Sequence, residues 1–334
     1  YGFLYIPIQL KTVSSIIQIV LPGLNLMVAM FIGVTIAVIY TSFSGMKGAS
    51  AVGRVVCIGI YVLLICFVFT TLPKFGGFSG LLGELPEKYD SMGNMPTQRI
   101  VAWIVGGCIS TAVMQAVLQP LLSAKSPEAA RVGSILGYVI AAPICFFTAI
   151  CGMLSKASGA DLGDGSTAFA YAIKTFSSPV FAGIIFAFAT MIIAATMATM
   201  MLATGTIITN VYKTEINPDV DDAKVLKLSK TITFVFAYLT LIPAFLIPSK
   251  SLTNLFLTLQ HVAAAPVSFS ILAGLLWKKT TKQGAFWSML TGMITGVAWM
   301  LLGLTDIVEA VYPVVIVIYG VGIVVSLMTY KENA

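Results

Sequence analysis

Residues 192–213 read IIAATMATMMLATGTIITNVYK, an apolar stretch in which small and hydroxyl side chains recur at helical spacing. Thr196 and Thr199 are three residues apart and therefore lie on one face of a helix. Ala194 and Ala198 are four residues apart, a spacing of small residues that lets a second helix approach closely. Two interpretations follow. Either the threonine hydroxyls reach a dehydrated cation, or this is a packing face whose threonines bond back to carbonyls of their own helix.

The composition around this stretch is that of a membrane protein. The chain has 334 residues, of which 58% are hydrophobic and 10% are charged, and its mean hydropathy is +0.97. A water-soluble domain of this size could not cover so much apolar surface. The net charge of +6 is spread over connections and forms no basic stripe on a solvated domain, so nucleic-acid binding is not predicted.

Charge-free runs divide the chain into about ten segments that are long enough to cross a bilayer. A hydrocarbon core of ~30 Å needs about 20 apolar residues as helix, and a helix satisfies its own backbone hydrogen bonds in lipid. We predict an all-α, polytopic transmembrane bundle that forms one domain over residues 1–334. The predicted spans are residues 3–20, 24–43, 51–72, 100–119, 131–153, 178–211, 229–248, 252–276, 283–304 and 310–330.

Lysine and arginine residues are distributed unequally between alternate connections. Twelve of them, including Lys331, fall on one side of the predicted bundle, and six, including Lys74 and Lys250, fall on the other. Cytoplasmic connections carry the excess of positive charge. The protein is therefore predicted to be a multi-pass protein of the cell membrane with its C-terminus in the cytoplasm.

Two side chains are costly at the depth where the sequence places them. Lys11 lies eleven residues before Pro22 at the outer end of the first span, or ~16 Å along a helix, which is near the bilayer centre. A lysine there needs a carboxylate, an anionic solute or an aqueous cavity. His261, the only histidine, follows Gln260 and precedes Pro266. It either contacts a solute or bonds, uncharged, to a neighbouring helix.

Four ordered motifs carry a resemblance to a known family. They are AATMAT at 194–199 with NVY at 210–212, YTSFSGMKG at 40–48, QAVLQPLLSAKSPEAAR at 115–131, and Pro266 followed by WKKT at 277–280 and GA at 284–285. Together they resemble the sodium:solute symporter family. Chains of that family carry about three further spans upstream, and Tyr1 already lies within an apolar pattern, so we expect this sequence to lack the N-terminal spans.

The resemblance implies a leucine-transporter-type core of two five-helix inverted repeats. It also implies that the coupling ion is sodium, with no organic cofactor, and that the carbonyl of Ala195, Ala198 and the hydroxyl of Thr199 belong to the sodium site. The family normally has serine where Ala198 stands, so one ligand of that site is missing here. Residues of the tenth core helix and of the span before Gln115 are implied as solute contacts. Together with Lys11, the candidate solute-binding residues are Gly107, Ser110, Gln115, Thr258, Gln260 and His261.

Three hypotheses of function remain open. The first is an ion-coupled secondary transporter that moves a small polar solute, such as an amino acid or organic acid, by alternating access. Gly107 and Ser110 stand where sugar carriers have larger polar residues, which argues against a sugar. The second is a sensor or accessory membrane module, and the third is a split-chain transporter completed by a missing N-terminal segment or a second chain. The sequence has no nucleophile–base pair, metal cluster or phosphate loop, so an enzyme is not predicted.

Overall fold

The computed structural model describes residues 2–89, 95–163, 165, 167–247 and 252–331. The side chains of residues 42–51, Lys88, Thr253 and Asp306 are outside this description, and so is most of the YTSFSGMKG motif. The described residues contain helices and no strand. In chain order the helices are α1 Gly2–Val20, α2 Leu26–Thr71, α3 Gly77–Gly83, α4 Thr97–Val113, α5 Gln115–Leu122, α6 Pro127–Ala157, α7 Ala168–Phe176, α8 Pro179–Val211, α9 Asp222–Leu239, α10 Leu241–Leu246, α11 Leu252–Leu259, α12 Gly274–Leu276, α13 Lys282–Leu301 and α14 Val311–Thr329.

Helix starts follow the capping residues in the sequence. Asn25, Ser126, Ser178 and Thr281 each accept a hydrogen bond from a backbone N–H in the first turn of the helix that follows, namely α2, α6, α8 and α13. α1 ends at Val20, and Gly23 adopts a left-handed φ of 91° in the turn that precedes α2. The connection left between the predicted spans 3–20 and 24–43 is therefore a turn.

Eight of the described helical segments are long and apolar enough to cross a membrane. One further pair, α4 and α5, passes the same test together, and residues 26–41 form a shorter apolar helix. The bounds and the number of the predicted spans stay predictions. The all-α, multi-pass architecture predicted from the sequence is confirmed.

The structure differs from the predicted spans in two places. α2 runs through the predicted connection between spans 24–43 and 51–72; its 46 residues extend ~69 Å, about twice the bilayer core. Its division into two spans stays a prediction. The span predicted at 100–119 is not one straight helix: α4 and α5 are bent by 47° at Met114.

The described residues group into two compact units. The larger unit comprises the described residues of 2–89 and 124–252, and the smaller comprises those of 95–123 and 253–331. The core of the larger unit lies where α2, α6, α7 and α8 meet, and it includes Phe67, Leu154, Ile173 and Ile185. In the smaller unit, Ala265 packs with Val314 and Ile318 of α14. The single domain predicted over residues 1–334 stays a prediction.

Candidate functional site

The span at residues 252–276 is irregular in its middle. α11, Leu252–Leu259, is followed by a π-helical turn at Gln260–Ala264, a 3-10 turn at Ala265–Val267 and a second π-helical turn at Phe269–Ala273. Pro266 has no N–H, so one carbonyl of the preceding turn lacks its usual helical donor. Such π-helical turns are frequent at functional sites because they release backbone groups from the helical ladder.

Ser110 of α4 is bonded to this irregular segment. Its hydroxyl donates to the carbonyl oxygen of Gln260 over 2.9 Å, and its side chain is fully buried. The same carbonyl accepts the backbone N–H of Ala265. The Gln260 side chain is buried as well. The structure therefore brings two of the predicted solute contacts, Ser110 and Gln260, into direct contact.

His261 packs against α4 through Gly106. A β-carbon on Gly106 would lie 2.3 Å from Nε2 of His261, so only glycine leaves room for the ring. The histidine is 1% exposed, and its Nε2 has no hydrogen-bond partner among the described residues. Buried polar atoms are normally satisfied, so this nitrogen has an unused bonding capacity that a water or a ligand can fill.

Gly107 and Gln115 lie along the same bent helix pair. Gly107 is half-buried, and the position where its β-carbon would be is open space. Gln115 is the half-buried first residue of α5, directly after Met114, whose ψ of 128° is extended. The first N–H groups of a helix have no partner within it, and transporter sites are often built at such discontinuous helices.

Thr258 is not connected to this cluster by any described hydrogen bond. Its hydroxyl donates to the carbonyl of Asn254 over 2.9 Å, one turn back in α11. Its side chain is half-buried. Its predicted role in solute binding stays a prediction.

The threonines of α8 bond back to their own helix. Thr199 donates to the carbonyl oxygen of Ala195 over 2.9 Å, and Thr196 donates to that of Ile192 over 3.0 Å. This is the geometry of the packing interpretation. The Thr199 hydroxyl nevertheless keeps its lone pairs, since donating a hydrogen bond does not use them. Ala195 and Thr199 thus present two oxygen atoms 2.9 Å apart on a half-buried face.

Ala198 lies on a different face of α8. It is fully buried, and Gly205 follows it by seven residues, which is two helical turns on the same face. A β-carbon on Gly205 would lie 2.5 Å from the hydroxyl oxygen of Thr233, so this face packs closely against α9. The methyl group of Ala198 offers no oxygen, which is consistent with a packing position.

Lys11 is buried in α1, where it is 4% exposed. α1 packs against α8, the helix that carries Ala195 and Thr199. The role of Lys11 in solute binding stays a prediction.

Sequence reasoning missed two features of this site. The break at Met114 has no local signal, since residues 109–119 contain neither glycine nor proline. Gly106 was also missed, although a small residue one turn before Ser110 is a recognisable sign of close helix approach. Within the described ranges no group of three or more His, Cys, Asp or Glu side chains could hold a metal ion. The two oxygen atoms on α8 are the hydroxyl of Thr199 and the carbonyl of Ala195.

A polytopic helical bundle with a bent span, an irregular span and buried polar groups facing one another defines a class: membrane proteins with an internal polar site. The sequence profile of the sodium:solute symporter family matches residues 1–292. The chain belongs to the sodium:solute symporter family.

Named relatives agree with this assignment. The chain is 25% identical to the uncharacterized symporter YodF of Bacillus subtilis (strain 168) over 304 residues, covering 86% of this chain and 60% of that protein. It is 22% identical to the high-affinity proline transporter PutP of the same organism over 303 residues, covering 87% of this chain and 63% of that protein. It is 25% identical to the sodium/pantothenate symporter of Escherichia coli (strain K12) over 291 residues, covering 82% of this chain and 58% of that protein.

The chain spans about three fifths of the length of these relatives. The family and the relatives are transporters and not enzymes, as the sequence predicts. The C-terminal orientation and a segment or second chain that completes the fold stay predictions.

Proposed function

We propose that the full-length protein is a secondary transporter that couples sodium entry to the movement of a small polar solute by alternating access. The observation that carries this proposal is the contact of Ser110 with Gln260 beside the buried His261, at the irregular middle of the span at residues 252–276. Polar groups at such depth are costly and mark solute pathways. Family membership supports the same function.

The groups of the solute site favour an amino acid or an organic acid. The described cluster offers a carboxamide at Gln260, an imidazole nitrogen at His261 and open space at Gly107. It offers hydrogen bonds to the polar groups of a small solute, but no aromatic face at Gly107 or Ser110 on which a sugar ring could stack. The names of two relatives, a proline transporter and a pantothenate symporter, agree with this class of solute, whereas a third relative is named a sodium/glucose cotransporter.

The sodium site is proposed at Ala195 and Thr199. Their two oxygen atoms are 2.9 Å apart, and one is a hydroxyl whose lone pairs remain available. Hard cations such as sodium are bound by carbonyl and hydroxyl oxygens, commonly beside unwound helices. Ala198 supplies no side-chain ligand, so we assign it to helix packing. We expect other segments of the full-length protein to supply the remaining oxygen ligands.

The proposal is tested by uptake into liposomes that contain the purified full-length protein. Proline, pantothenate, other small amino and organic acids, and glucose are supplied with and without an inward sodium gradient. We expect accumulation of an amino or organic acid that requires the gradient, and no accumulation of glucose. If no solute accumulates under any gradient, the transporter proposal is wrong and the sensor hypothesis replaces it.

A further inference from the structure

The turn between α12 and α13 concentrates positive charge at one end of the smaller unit. We call residues 277–282, Trp-Lys-Lys-Thr-Thr-Lys, the basic turn. Its three lysines are exposed, and so is Lys331, which follows α14. The exposed basic residues at this end are Lys278, Lys279, Lys282 and Lys331.

The end of α14 is held beside the basic turn by specific contacts. The hydroxyls of Thr281 and Thr329 are 2.7 Å apart and share a hydrogen bond. Nζ of Lys279 lies 5.9 Å from the ring centroid of Tyr330, within the range of a cation–π contact. Lys331 comes directly after that tyrosine, so all four lysines belong to one surface.

The basic turn is braced by hydrogen bonds to the backbone around it. The hydroxyl of Thr280 donates to the carbonyls of Ala273 and Trp277, each over 2.9 Å. Thr281 accepts the N–H of Gly284 and so caps α13. A fixed turn presents its lysines with less loss of freedom on binding than a mobile loop does.

Within the smaller unit, few acidic residues lie close to this surface in the sequence. Within the sequence of the smaller unit, Asp306 and Glu309 lie in the connection at the opposite end of α13, about 30 Å away for a 20-residue helix. Glu332 follows Lys331 in the sequence and lies outside the described residues. Apart from Glu332, the sequence of the smaller unit places no acid near the four lysines.

Exposed apolar side chains border the same surface. They include two leucines that end α12, two aromatic residues in the first turns of α13 and a methionine near the end of α14. These residues are Leu275, Leu276, Phe286, Trp287 and Met328. An apolar belt with an aromatic residue beside a row of lysines is the arrangement expected where acyl chains end and head groups begin.

We infer that the basic turn and Lys331 form a binding site for the phosphate of an anionic phospholipid. Lysines near the membrane surface attract anionic lipids, and the apolar border places the acyl chains beside α12 and α13. The orientation predicted from the sequence puts this site in the cytoplasmic leaflet. This inference concerns a different surface from the solute and sodium sites.

The test uses the purified full-length protein, with phosphatidylglycerol and phosphatidylcholine as probes and lipid retention measured by native mass spectrometry. We expect the protein to retain phosphatidylglycerol in preference to phosphatidylcholine. Neutralising the basic turn should lower the affinity for phosphatidylglycerol at least about tenfold, and added salt should weaken phosphatidylglycerol binding to the unmodified protein. The variant replaces Lys278, Lys279 and Lys282 with glutamine.

A matched control removes the same charge elsewhere. α9 begins with three lysines that accompany Asp221 and Asp222, and their replacement with glutamine should leave phosphatidylglycerol binding unchanged. The control positions are Lys224, Lys227 and Lys230. Arginine at the three positions of the basic turn should restore binding, which separates charge from folding.

Three results would overturn the inference. The first is equal retention of the two lipids by the unmodified protein, and the second is equal loss in the basic-turn and control variants. The third is inorganic phosphate displacing phosphatidylglycerol at comparable concentration, since the site would then bind a free anion.

Discussion

The hydroxyl of Ser110 donates to the carbonyl oxygen of Gln260 over 2.9 Å, and this bond joins α4 to the π-helical turn. Ser110→Ala removes the donor and leaves Gln260 with the Ala265 N–H alone. We expect a loss of about 1 kcal/mol in the free energy of unfolding, typical of a buried hydrogen bond, together with weaker solute uptake. Thermal unfolding and the KM of uptake measure the two effects.

Ser134→Ala is the control for that variant. The hydroxyl of Ser134 donates to the carbonyl oxygen of Ala130 within α6, over 2.7 Å. This bond joins no separate elements, so its loss leaves the contacts between helices unchanged. Its uptake should equal that of the unmodified protein. Equal behaviour of the two serine variants would contradict a site at the contact of Ser110 and Gln260.

Gly106→Ala is expected to disturb His261. The new methyl group would lie 2.3 Å from Nε2, and the buried ring must move to admit it. Overpacking of this kind costs about 1–3 kcal/mol, so we expect a lower unfolding temperature and loss of uptake. A variant as stable and as active as the unmodified protein would show that the ring is free to leave α4.

Gly107→Ala tests the neighbouring position without a clash. The added methyl group meets nothing within 4 Å, and alanine favours helix, so stability should be kept or slightly raised. If Gly107 borders the solute, the methyl group occupies solute space and the KM rises. An unchanged KM in a folded variant would remove Gly107 from the solute site.

Glu309→Gln is expected to loosen the start of α11. Glu309, with 11% of its side chain exposed, lies 3.1 Å from Nε of Arg99, and Nη2 of that arginine donates to Asn254 over 3.4 Å. Because Arg99 is partly exposed to solvent, we expect a loss of only about 1 kcal/mol, seen as a lower midpoint of thermal unfolding.

The exposed ion pair of the larger unit provides the comparison. Lys213 and Asp222 are 2.6 Å apart, with the aspartate largely exposed. Asp222→Asn should leave the midpoint unchanged, since exposed pairs contribute little. A larger effect from Asp222→Asn than from Glu309→Gln would contradict the role given to the buried carboxylate.

The sequence was sufficient for the features that depend on local composition. The turn at Pro22 and Gly23 and the ten apolar segments are set by hydropathy and by residues that break helices. The bend at Met114 could not be predicted, because a valine and a glutamine flank it and only tertiary packing distinguishes this position. The irregular turns had one local sign, Pro266, whose missing N–H is incompatible with a regular helix.

The sequence indicates which residues belong to the candidate site better than it indicates how they are arranged. Gln260 and His261 stand out because polar residues are rare in such spans, and both are buried. The burial of Ala198 and the partial exposure of Thr199, which lie on different faces of α8, depend on which helices pack together. The spacing of residues within one segment does not show which other helices pack against it.

Thr199→Ala and Thr206→Ala form a closely matched pair for the proposed sodium site. The two threonines are seven residues apart on one face of α8, both are half-buried, and both donate to the carbonyl four residues back, over 2.9 Å and 2.8 Å. Their loss should therefore cost similar stability. Only Thr199 lies at the proposed ion site.

The most direct measurement is the sodium concentration that gives half-maximal solute uptake, determined for both variants of the full-length protein in liposomes. We predict that Thr199→Ala raises this concentration by about tenfold or more, the scale on which lost metal contacts act, whereas Thr206→Ala leaves it unchanged. Equal values for the two variants, or uptake that ignores sodium altogether, would contradict a coupling ion held at Ala195 and Thr199.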